Sequence, residues 1–397
     1  MPMRHAKPRK HFIFPLLLGS LLLAGLLGLV WNTPLAEKLA DLLEPAPPAA
    51  AAKAAVLTQL TQAPSADDYA ALKTAVVTEE AVPFDKEISE TRFVGSALLI
   101  KAGRILLNKG YGLADAQTQQ ANTPQSHYQI GSIQKSFTGS LIMQAIAAGK
   151  LSFGTPLSTF YPDIPSAETI TIRSMLEMTS GLRLPQLPES VTGDEDLLRF
   201  INGHATLKAP GRYFYSPVNF MLLAGILEKL YRTDYQSLFQ KVYQQQLGLG
   251  SSDFYENWPS DPLRTHSYQP SETDPYAEEI NESPASFAHE LGTGNVSMDI
   301  RDLYWYFHQL IAGKIVDKSV LADLWAANNE PAYRSGSYIY PDHIRAHGNE
   351  QGQRAMVLLT SDGKSGVFLL TNSNQPDAYT KLITRLFDSI TGSSAAF

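Results

Sequence analysis

Between residue 93 and about residue 390, apolar and polar residues follow a strand pattern near both ends and a helix pattern in the middle. Residues 93–110 alternate loosely on either side of Ala102-Gly103, which predicts a β-hairpin. The other predicted elements are helices at 171–178, 219–231 and 302–312, strands at 353–360 and 366–371, and a last helix at about 378–390. These elements predict an α/β (α+β) fold, in which one antiparallel sheet is built from both termini of the domain and flanked by helices, with an inserted all-helical lobe.

Residues 12–31 form a leucine-rich run of 20 residues without a charge. That length matches the hydrocarbon thickness of a bilayer, so the run predicts a transmembrane anchor. Four basic side chains precede it, and Lys38 alone follows it within twenty residues. This asymmetry predicts a cytoplasmic tail at 1–11 and an extracellular catalytic part, in a single-pass protein of the cell membrane. A cleaved signal peptide is the alternative, but no small-x-small cleavage site closes the run.

Composition separates a spacer from the rest of the outer part. Residues 32–83 are rich in alanine, proline and glutamine, which is typical of a linker, and they precede a predicted catalytic domain at 84–397. The part predicted to lie outside carries 28 basic and 39 acidic side chains, a net charge of about −11. That charge argues against nucleic acid or an anionic lipid surface as a partner. The chain has no cysteine, which excludes disulfides and a cysteine nucleophile.

The sequence Ser132-x-x-Lys135 stands at the start of a helical pattern that ends at Gly149. One helical turn separates the two residues, so the lysine amine can reach the serine oxygen. A lysine accepts the serine proton only in its neutral form, which burial and neighbouring cations favour. The pair therefore predicts an activated nucleophile for acyl transfer. A plain helix-capping serine is the alternative interpretation of Ser132.

A second match to the same pattern, Ser361-x-x-Lys364, has a different context. Asp362-Gly363 stands between its two ends, and predicted strands flank it on both sides. This arrangement is typical of a hairpin turn, which cannot place the lysine over the serine. The context therefore selects Ser132.

The chain resembles the serine β-lactamase and penicillin-binding-protein superfamily from about residue 93 to residue 390, in particular its class C and low-molecular-weight carboxypeptidase or esterase branch. The segments that carry the resemblance are residues 130–138, 171–176, 179–182, 215–220 and 222–229. The resemblance implies a β-lactamase/transpeptidase-like fold with a cleft between the sheet and the helical lobe. It also implies that Ser132 is the nucleophile, that Lys135 accepts its proton, and that Tyr215 transfers protons between serine, lysine and leaving group.

The family's second motif, Tyr-x-Asn, matches Tyr215 but meets Pro217 in place of the asparagine. A proline has no side-chain amide with which to hold a substrate carbonyl. Tyr255-x-Asn257 matches the letters, but the helix that follows the family's tyrosine is missing there. Tyr215 is therefore the predicted motif residue, with a simple core aromatic as the alternative.

The third motif, Lys-Thr-Gly or His-x-Gly, precedes two strands and a final helix in the family. Counting back from the last helix predicts it at His347-Gly348-Asn349, with Asn349 at the glycine position. Either Gly348 or a residue nearer Gly352 then allows the backbone of this strand to come close to the nucleophile. The implied oxyanion hole combines the Ser132 N–H with a backbone N–H a little beyond Asn349.

Alternation along that strand places Arg345 on the same side as His347. A guanidinium beside the cleft suits a carboxylate or phosphate on the substrate, whereas a solvated edge arginine is an equal alternative. The remaining histidines lack metal-ligand spacing, and no glycine-rich phosphate loop occurs. We therefore expect no metal and no cofactor.

Three functions fit these residues. The first is a D-alanyl esterase of lipoteichoic or teichoic acid, which the resemblance to membrane-anchored Gram-positive esterases of this superfamily implies. The second is a D,D-carboxypeptidase or β-lactamase that acts on peptidoglycan stems or β-lactams, and the third is a non-catalytic envelope-binding module. Pro217 favours the ester, because an ester has a better leaving group and tolerates the loss of a contact to an acylamino group. Ser132, Lys135 and Tyr215 together argue against a module without activity.

Overall fold

The computed structural model describes residue 72 and residues 74–188, 190–326, 331–395 and 397. The predicted tail at 1–11 and anchor at 12–31 lie outside the described residues, as does the predicted linker up to residue 71. Among the residues that the structure describes, no helix is both long and apolar enough to cross a membrane.

The main sheet joins the two ends of the domain. In chain order the strands are β1 Val76–Val77, β2 Gly95–Lys101, β3 Arg104–Tyr111, β4 Leu113–Asp115, β5 Gln120–Ala121, β6 Tyr128–Gln129, β7 Leu182–Arg183, β8 Thr206–Leu207, β9 Asp253–Phe254, β10 Tyr268–Gln269, β11 Glu278–Glu279, β12 Val296–Met298, β13 Ala332–Arg334, β14 Ser337–Ile339, β15 His343–Glu350, β16 Gln353–Thr360 and β17 Gly366–Thr371. Within the described part of the chain, eight of them form one antiparallel sheet in the order β1-β3-β2-β17-β16-β15-β14-β13. The predicted hairpin is β2 and β3, and the predicted late strands are β16 and β17.

The helices lie before, between and after these strands. They are α1 Val82–Glu90, α2 Gln134–Ala147, α3 Ile172–Leu176, α4 Asp194–His204, α5 Val218–Tyr231, α6 Tyr235–Phe239, α7 Pro284–Phe287, α8 Ile300–Ile311, α9 Lys318–Trp325 and α10 Pro376–Thr391, and a π-helical segment, Gln240–Gln246, continues α6. Helices α3 to α6 form the inserted lobe, to which the short β7–β8 pair adds the only strands within the lobe's described residues.

Different helices cover the two faces of the main sheet. On β16, Met356 and Leu358 pack in one cluster with α1 and α10, whereas Ala355 and Val357 pack in the other with α2 and α8. Successive side chains of a strand point to opposite faces, so a strand that is covered on both sides is apolar at every position. This burial explains the uninterrupted apolar run of β16.

Helix α2 lies in the centre of the second cluster, and its residues from Gln134 to Ala145 are buried. Phe137 stacks on Tyr306 with ring centroids 3.7 Å apart and meets Tyr243 edge-on at 5.0 Å. A helix that is surrounded by core on all sides needs no polar face. The packing holds the first turn of α2 in a fixed position, and the predicted nucleophile lies in the short turn directly before it.

The predicted fold class is confirmed: a large antiparallel sheet with flanking helices and an inserted helical lobe. Two residues of the predicted linker also join the main sheet. Val76 and Val77 fall in the predicted linker, but they pair with Asn108 and Leu107 of β3, and the Asn108 side chain donates to the carbonyl oxygen of Leu72 at 3.0 Å. A two-residue strand in an alanine-rich segment has no periodicity of its own.

Candidate active site

Ser132 lies in a 3₁₀ turn, Gly131–Ile133, directly before α2. Gly131 has a φ of +49°, the left-handed region that favours glycine, and a Cβ there would lie 2.8 Å from the backbone oxygen of Asn349. Glycine at this position therefore allows the turn to bring Ser132 against β15. The side chain of Ser132 is partly accessible, whereas its neighbours Gly131 and Ile133 are buried.

Two polar side chains converge on the Ser132 hydroxyl. Lys135 Nζ donates to Ser132 Oγ at 3.0 Å, and the Tyr215 hydroxyl donates to the same oxygen at 2.8 Å. Lys135 is 1% exposed, and its Nζ also donates to the carbonyl oxygen of Thr293 at 2.9 Å. No carboxylate of the described residues lies within ion-pair distance of this amine. The structure thus brings together the three residues that the sequence predicted to be catalytic.

Tyr215 owes its position to the segment that leads into α5. Pro217 is the residue before α5 and has a φ of −55°, which suits the start of a helix. The buried Asn219 side chain donates to the carbonyl oxygen of Ser216 at 2.9 Å and accepts from Ser180 Oγ at 2.6 Å, so it fixes this turn. Pro217 is not part of the cavity wall at Ser132. Although we expected a substrate-binding residue at this motif position, Pro217 has no place in the lining of this cavity.

The alternative motif at Tyr255 lies elsewhere. Tyr255 stacks on Phe287 with ring centroids 3.6 Å apart, in a small cluster that also contains Trp258. Neither Tyr255 nor Asn257 lines the cavity at Ser132. Ser361 and Lys364 likewise lie in the turn between β16 and β17, away from that cavity.

A cavity of about 220 Å³ opens beside the Ser132 hydroxyl. Its wall is formed by Ser132, Tyr215, Tyr333, Gly336, Tyr338, His347, Gly348 and Asn349. The predicted third motif therefore faces the nucleophile, as the count of strands indicated. The tyrosines on β13 and β14 were not predicted, because each of these strands has three residues and shows no alternation long enough to recognise.

Gly348 of β15 lies directly against the turn that carries the nucleophile. A Cβ at this position would lie 2.0 Å from the carbonyl oxygen of Ile130 and 2.7 Å from the backbone nitrogen of Ser132. Gly352, the other candidate for this role, lies in the turn after β15 with a φ of +88° and meets Ile280 instead. Gly348 thus provides the close approach, and Asn349 follows it beside the turn that carries Ser132.

His347 lines the cavity but does not bond to the nucleophile. Among the described residues, no hydrogen bond joins its ring to Ser132, Lys135 or Tyr215, and its Nδ1 atom is buried without a partner. His347 pairs with Met356 of β16, whose side chain packs on the face of the sheet that α1 and α10 cover. Paired residues of neighbouring strands point to the same face, so the His347 ring reaches only the edge of the cavity. There it stacks on Tyr338 with ring centroids 5.8 Å apart.

Two arginines stand behind His347. The Arg345 guanidinium lies 4.3 Å from the Tyr338 ring centroid, and Arg354 of β16 donates to Thr380 Oγ1 at 3.2 Å. Burial, together with the Arg345 and Arg354 charges, lowers the pKa of His347 to about 4. The histidine is therefore neutral at neutral pH, and the arginines supply the positive charge on this side. The position of Arg354 near the site was not predicted, because the strand that contains it is mainly apolar and was expected to lie in the core.

Two carboxyl groups lie on the far side of Lys135. Thr293, whose carbonyl oxygen accepts from the lysine, donates its hydroxyl to Glu290. Burial, followed by repulsion from Glu290, raises the pKa of Glu350 to about 7, and the Lys135 charge opposes that rise. Within the part of the chain that the structure describes, no group of three or more His, Asp or Glu side chains could hold a metal ion.

The sheet from both termini, the helical lobe and a Ser-x-x-Lys pair with a tyrosine on the same oxygen define a class, the serine hydrolases with the β-lactamase and penicillin-binding-protein fold. A sequence model described as Beta-lactamase matches residues 84–388, and the chain belongs to that family. The resemblance predicted from the motifs is thereby confirmed.

Proteins similar to this chain fall within the same class. The chain is 26% identical over 288 residues to a putative penicillin-binding protein, PbpX, of Bacillus subtilis (strain 168), which covers 72% of each chain. It is 23% identical over 280 residues to the teichoic acid D-alanine hydrolase of Staphylococcus aureus, which covers 68% of each. The crystal structure of FmtA from Staphylococcus aureus matches with a TM-score of 0.71 at 22% identity, over 82% of this chain and 93% of that chain. At that identity the structural match shows the fold.

Proposed function

We propose that the protein removes D-alanyl ester groups from teichoic or lipoteichoic acid outside the cell, through an acyl-enzyme on Ser132. The observation that carries this proposal is the Ser132 hydroxyl, which accepts hydrogen bonds from Lys135 Nζ at 3.0 Å and from Tyr215 at 2.8 Å beside an open cavity. The teichoic acid D-alanine hydrolase among the relatives supports the choice of substrate. The apolar run at 12–31 supports a membrane anchor with the catalytic part outside.

In the acylation step, Lys135 takes the proton of Ser132 while Oγ attacks the ester carbonyl carbon. The carbonyl oxygen becomes an oxyanion, which the backbone N–H of Ser132 and a backbone N–H just beyond Asn349, at the end of β15, stabilise as donors. The bond to the polyol oxygen then breaks, and the proton returns from Lys135 through the Tyr215 hydroxyl to that leaving oxygen. A polyol hydroxyl departs, and the D-alanyl group remains on Ser132 as an ester.

Deacylation repeats these steps with water. The Tyr215 and Lys135 pair accepts a proton from a water molecule, whose oxygen attacks the acyl carbon. The same two N–H groups stabilise the second oxyanion. When the bond to Ser132 Oγ breaks, that oxygen takes the proton back, and free D-alanine leaves with the original enzyme restored.

The shape and charge of the cavity support a small ester as substrate. A volume of about 220 Å³ suits a D-alanyl group, and the aromatic side chains of Tyr333 and Tyr338 form part of the wall that would contact it. Arg345, beside the Tyr338 ring, suits a phosphate of the polymer. Pro217 offers no side-chain amide for the acylamino group of a peptide or β-lactam.

A D,D-carboxypeptidase or β-lactamase is the second candidate, because the same Ser132, Lys135 and Tyr215 geometry serves amide bonds and because one relative is named a putative penicillin-binding protein. Amide cleavage needs more assistance to the leaving group, and the absence of an asparagine at 217 removes one contact that such substrates use. The ester remains the better match.

The test uses the full-length chain in detergent micelles and measures D-alanine released from D-alanylated lipoteichoic acid. We expect release by the natural chain and by Ser361→Ala, a matched serine of the second Ser-x-x-Lys sequence, and none by Ser132→Ala. If D-alanine is not released but a penicillin acylates Ser132, the second candidate replaces the first. If neither reaction occurs in the folded protein, the catalytic proposal is wrong.

A further inference from the structure

An exposed basic and aromatic segment leads directly to Tyr215. Tyr213 and Phe214 are 51% and 47% exposed, although large aromatic side chains are mostly buried. Lys208 and Arg212 of the same segment are exposed as well. The Arg183 guanidinium lies 3.3 Å from the Phe214 ring centroid. We call these five residues the basic aromatic rim.

The rim has a fixed backbone. Strands β7 and β8 pair at its base, and three backbone hydrogen bonds continue the connection along the segment. They run from Lys208 N to Gly181 O at 2.8 Å, from Gly211 N to Thr179 O at 2.8 Å, and from Phe214 N to Met178 O at 2.9 Å. Exposed aromatic rings on a rigid segment bind a partner with little loss of conformational entropy.

The rim is continuous with the mouth of the active-site cavity. The Tyr213 and Tyr338 hydroxyls are 3.0 Å apart, and Tyr338 forms part of the cavity wall. The Arg345 guanidinium covers the Tyr338 ring from another side. A long substrate with its ester at Ser132 would therefore pass over Tyr338 and reach the rim.

The charge of the rim opposes that of the whole chain. The chain has a formal net charge of −7, yet residues 197–227 contain no acidic side chain. Among the described residues, no carboxylate forms an ion pair with Lys208, Arg212 or Arg183. Basic side chains that remain unpaired beside a cleft attract anions.

We infer that the basic aromatic rim binds an anionic polyol phosphate polymer and holds the repeat units next to the ester at Ser132. The identity of the polymer rests on the proposed function, whereas the binding itself does not require hydrolysis. Guanidinium and ammonium groups pair with phosphates, and the aromatic faces pack on the polyol carbons between them. The rim would thus select a polymer over a small ester.

The test measures binding of poly(glycerol phosphate), freed of D-alanine and glycolipid, to the full-length Ser132→Ala chain in detergent micelles by calorimetry. Arg183→Gln combined with Arg212→Gln should weaken binding about tenfold, because each substitution removes one charge contact to the polymer. Phe214→Ala should also weaken it, and high salt should weaken binding to the unsubstituted rim most. The matched control is Arg232→Gln, at the opposite end of α5.

Three results overturn the inference. The rim variants bind the polymer as tightly as the unsubstituted rim does, Arg232→Gln weakens binding as much as they do, or the unsubstituted rim does not bind the polymer. Preference for anionic lipid vesicles over the polymer overturns it too, because the rim would then recognise a membrane surface. D-alanine release by the natural enzyme is measured separately. Polymer binding without release contradicts the proposed function alone, and release with normal binding by the rim variants contradicts this inference alone.

Discussion

Replacing Gly348 with alanine tests whether the close contact between β15 and the nucleophile's turn is needed for catalysis. The new Cβ would lie 2.0 Å from the carbonyl oxygen of Ile130, whereas Cβ contacts under 3.0 Å essentially never occur. Both atoms are fixed to backbone and cannot rotate apart, so the two segments must separate by about 1 Å. That separation moves the end of β15, which carries the proposed second oxyanion donor, away from Ser132, and a displacement of this size costs about a hundredfold in rate.

The assay is kcat/KM for D-alanine release, with thermal unfolding to show that the variant is folded. We expect a loss of about a hundredfold in kcat/KM and a decrease of about 1–3 kcal/mol in the free energy of unfolding. The matched control is Gly203→Ala in α4, where a Cβ meets nothing within 4 Å and alanine favours the helix. A Gly348→Ala enzyme within about threefold of the natural rate would refute the reasoning.

Three further substitutions test the site. Lys135→Ala should lower kcat about a thousandfold at neutral pH, because Ser132 loses its proton acceptor, and a near-normal rate would contradict that role. Tyr215→Phe keeps the ring but loses the 2.8 Å hydrogen bond, so single-turnover measurements should show about a hundredfold slower acylation, and an unchanged rate would exclude proton transfer through the tyrosine. The unfolded His347 binds a proton below its ordinary pKa of 6.5, but the folded group does so only below about 4, so it destabilises the protein increasingly as the pH falls from 6.5 to 4. When the pH is lowered from 7 to 4, the free energy of unfolding in urea should therefore fall by up to about 3 kcal/mol less for His347→Gln than for the natural chain. An equal pH dependence of the two free energies would contradict the low pKa of His347.

The central strands of the fold could be predicted because their pattern is local. The predicted strands at 353–360 and 366–371 have apolar central residues and lie on either side of Asp362-Gly363, and they form β16 and β17 with the predicted bounds. Strands β13 and β14 were missed because three residues each give no period, and β1 was missed because only pairing with β3 makes it a strand. Their positions depend on tertiary contacts that no local window contains.

The site divides in the same way. Ser132 and Lys135 were predictable from one helical turn, and Tyr215 from the resemblance of its motif to the family. Thr293, which holds the lysine amine through a backbone carbonyl, had no signal, because any residue type offers that atom. At the third motif, the sequence could not decide whether Gly348 or a residue nearer Gly352 lies against the nucleophile's backbone. The packing of β15 against Ser132 shows that this residue is Gly348.

The most direct test of the central claim is the covalent intermediate. A D-alanyl ester is mixed with the full-length enzyme and quenched in acid within the first turnover, and the digested protein is mapped by mass spectrometry. The account predicts a D-alanyl adduct on the peptide that contains Ser132, absent from Ser132→Ala and formed more slowly in Lys135→Ala. Release of D-alanine without that adduct, or with an adduct on another residue, would contradict it.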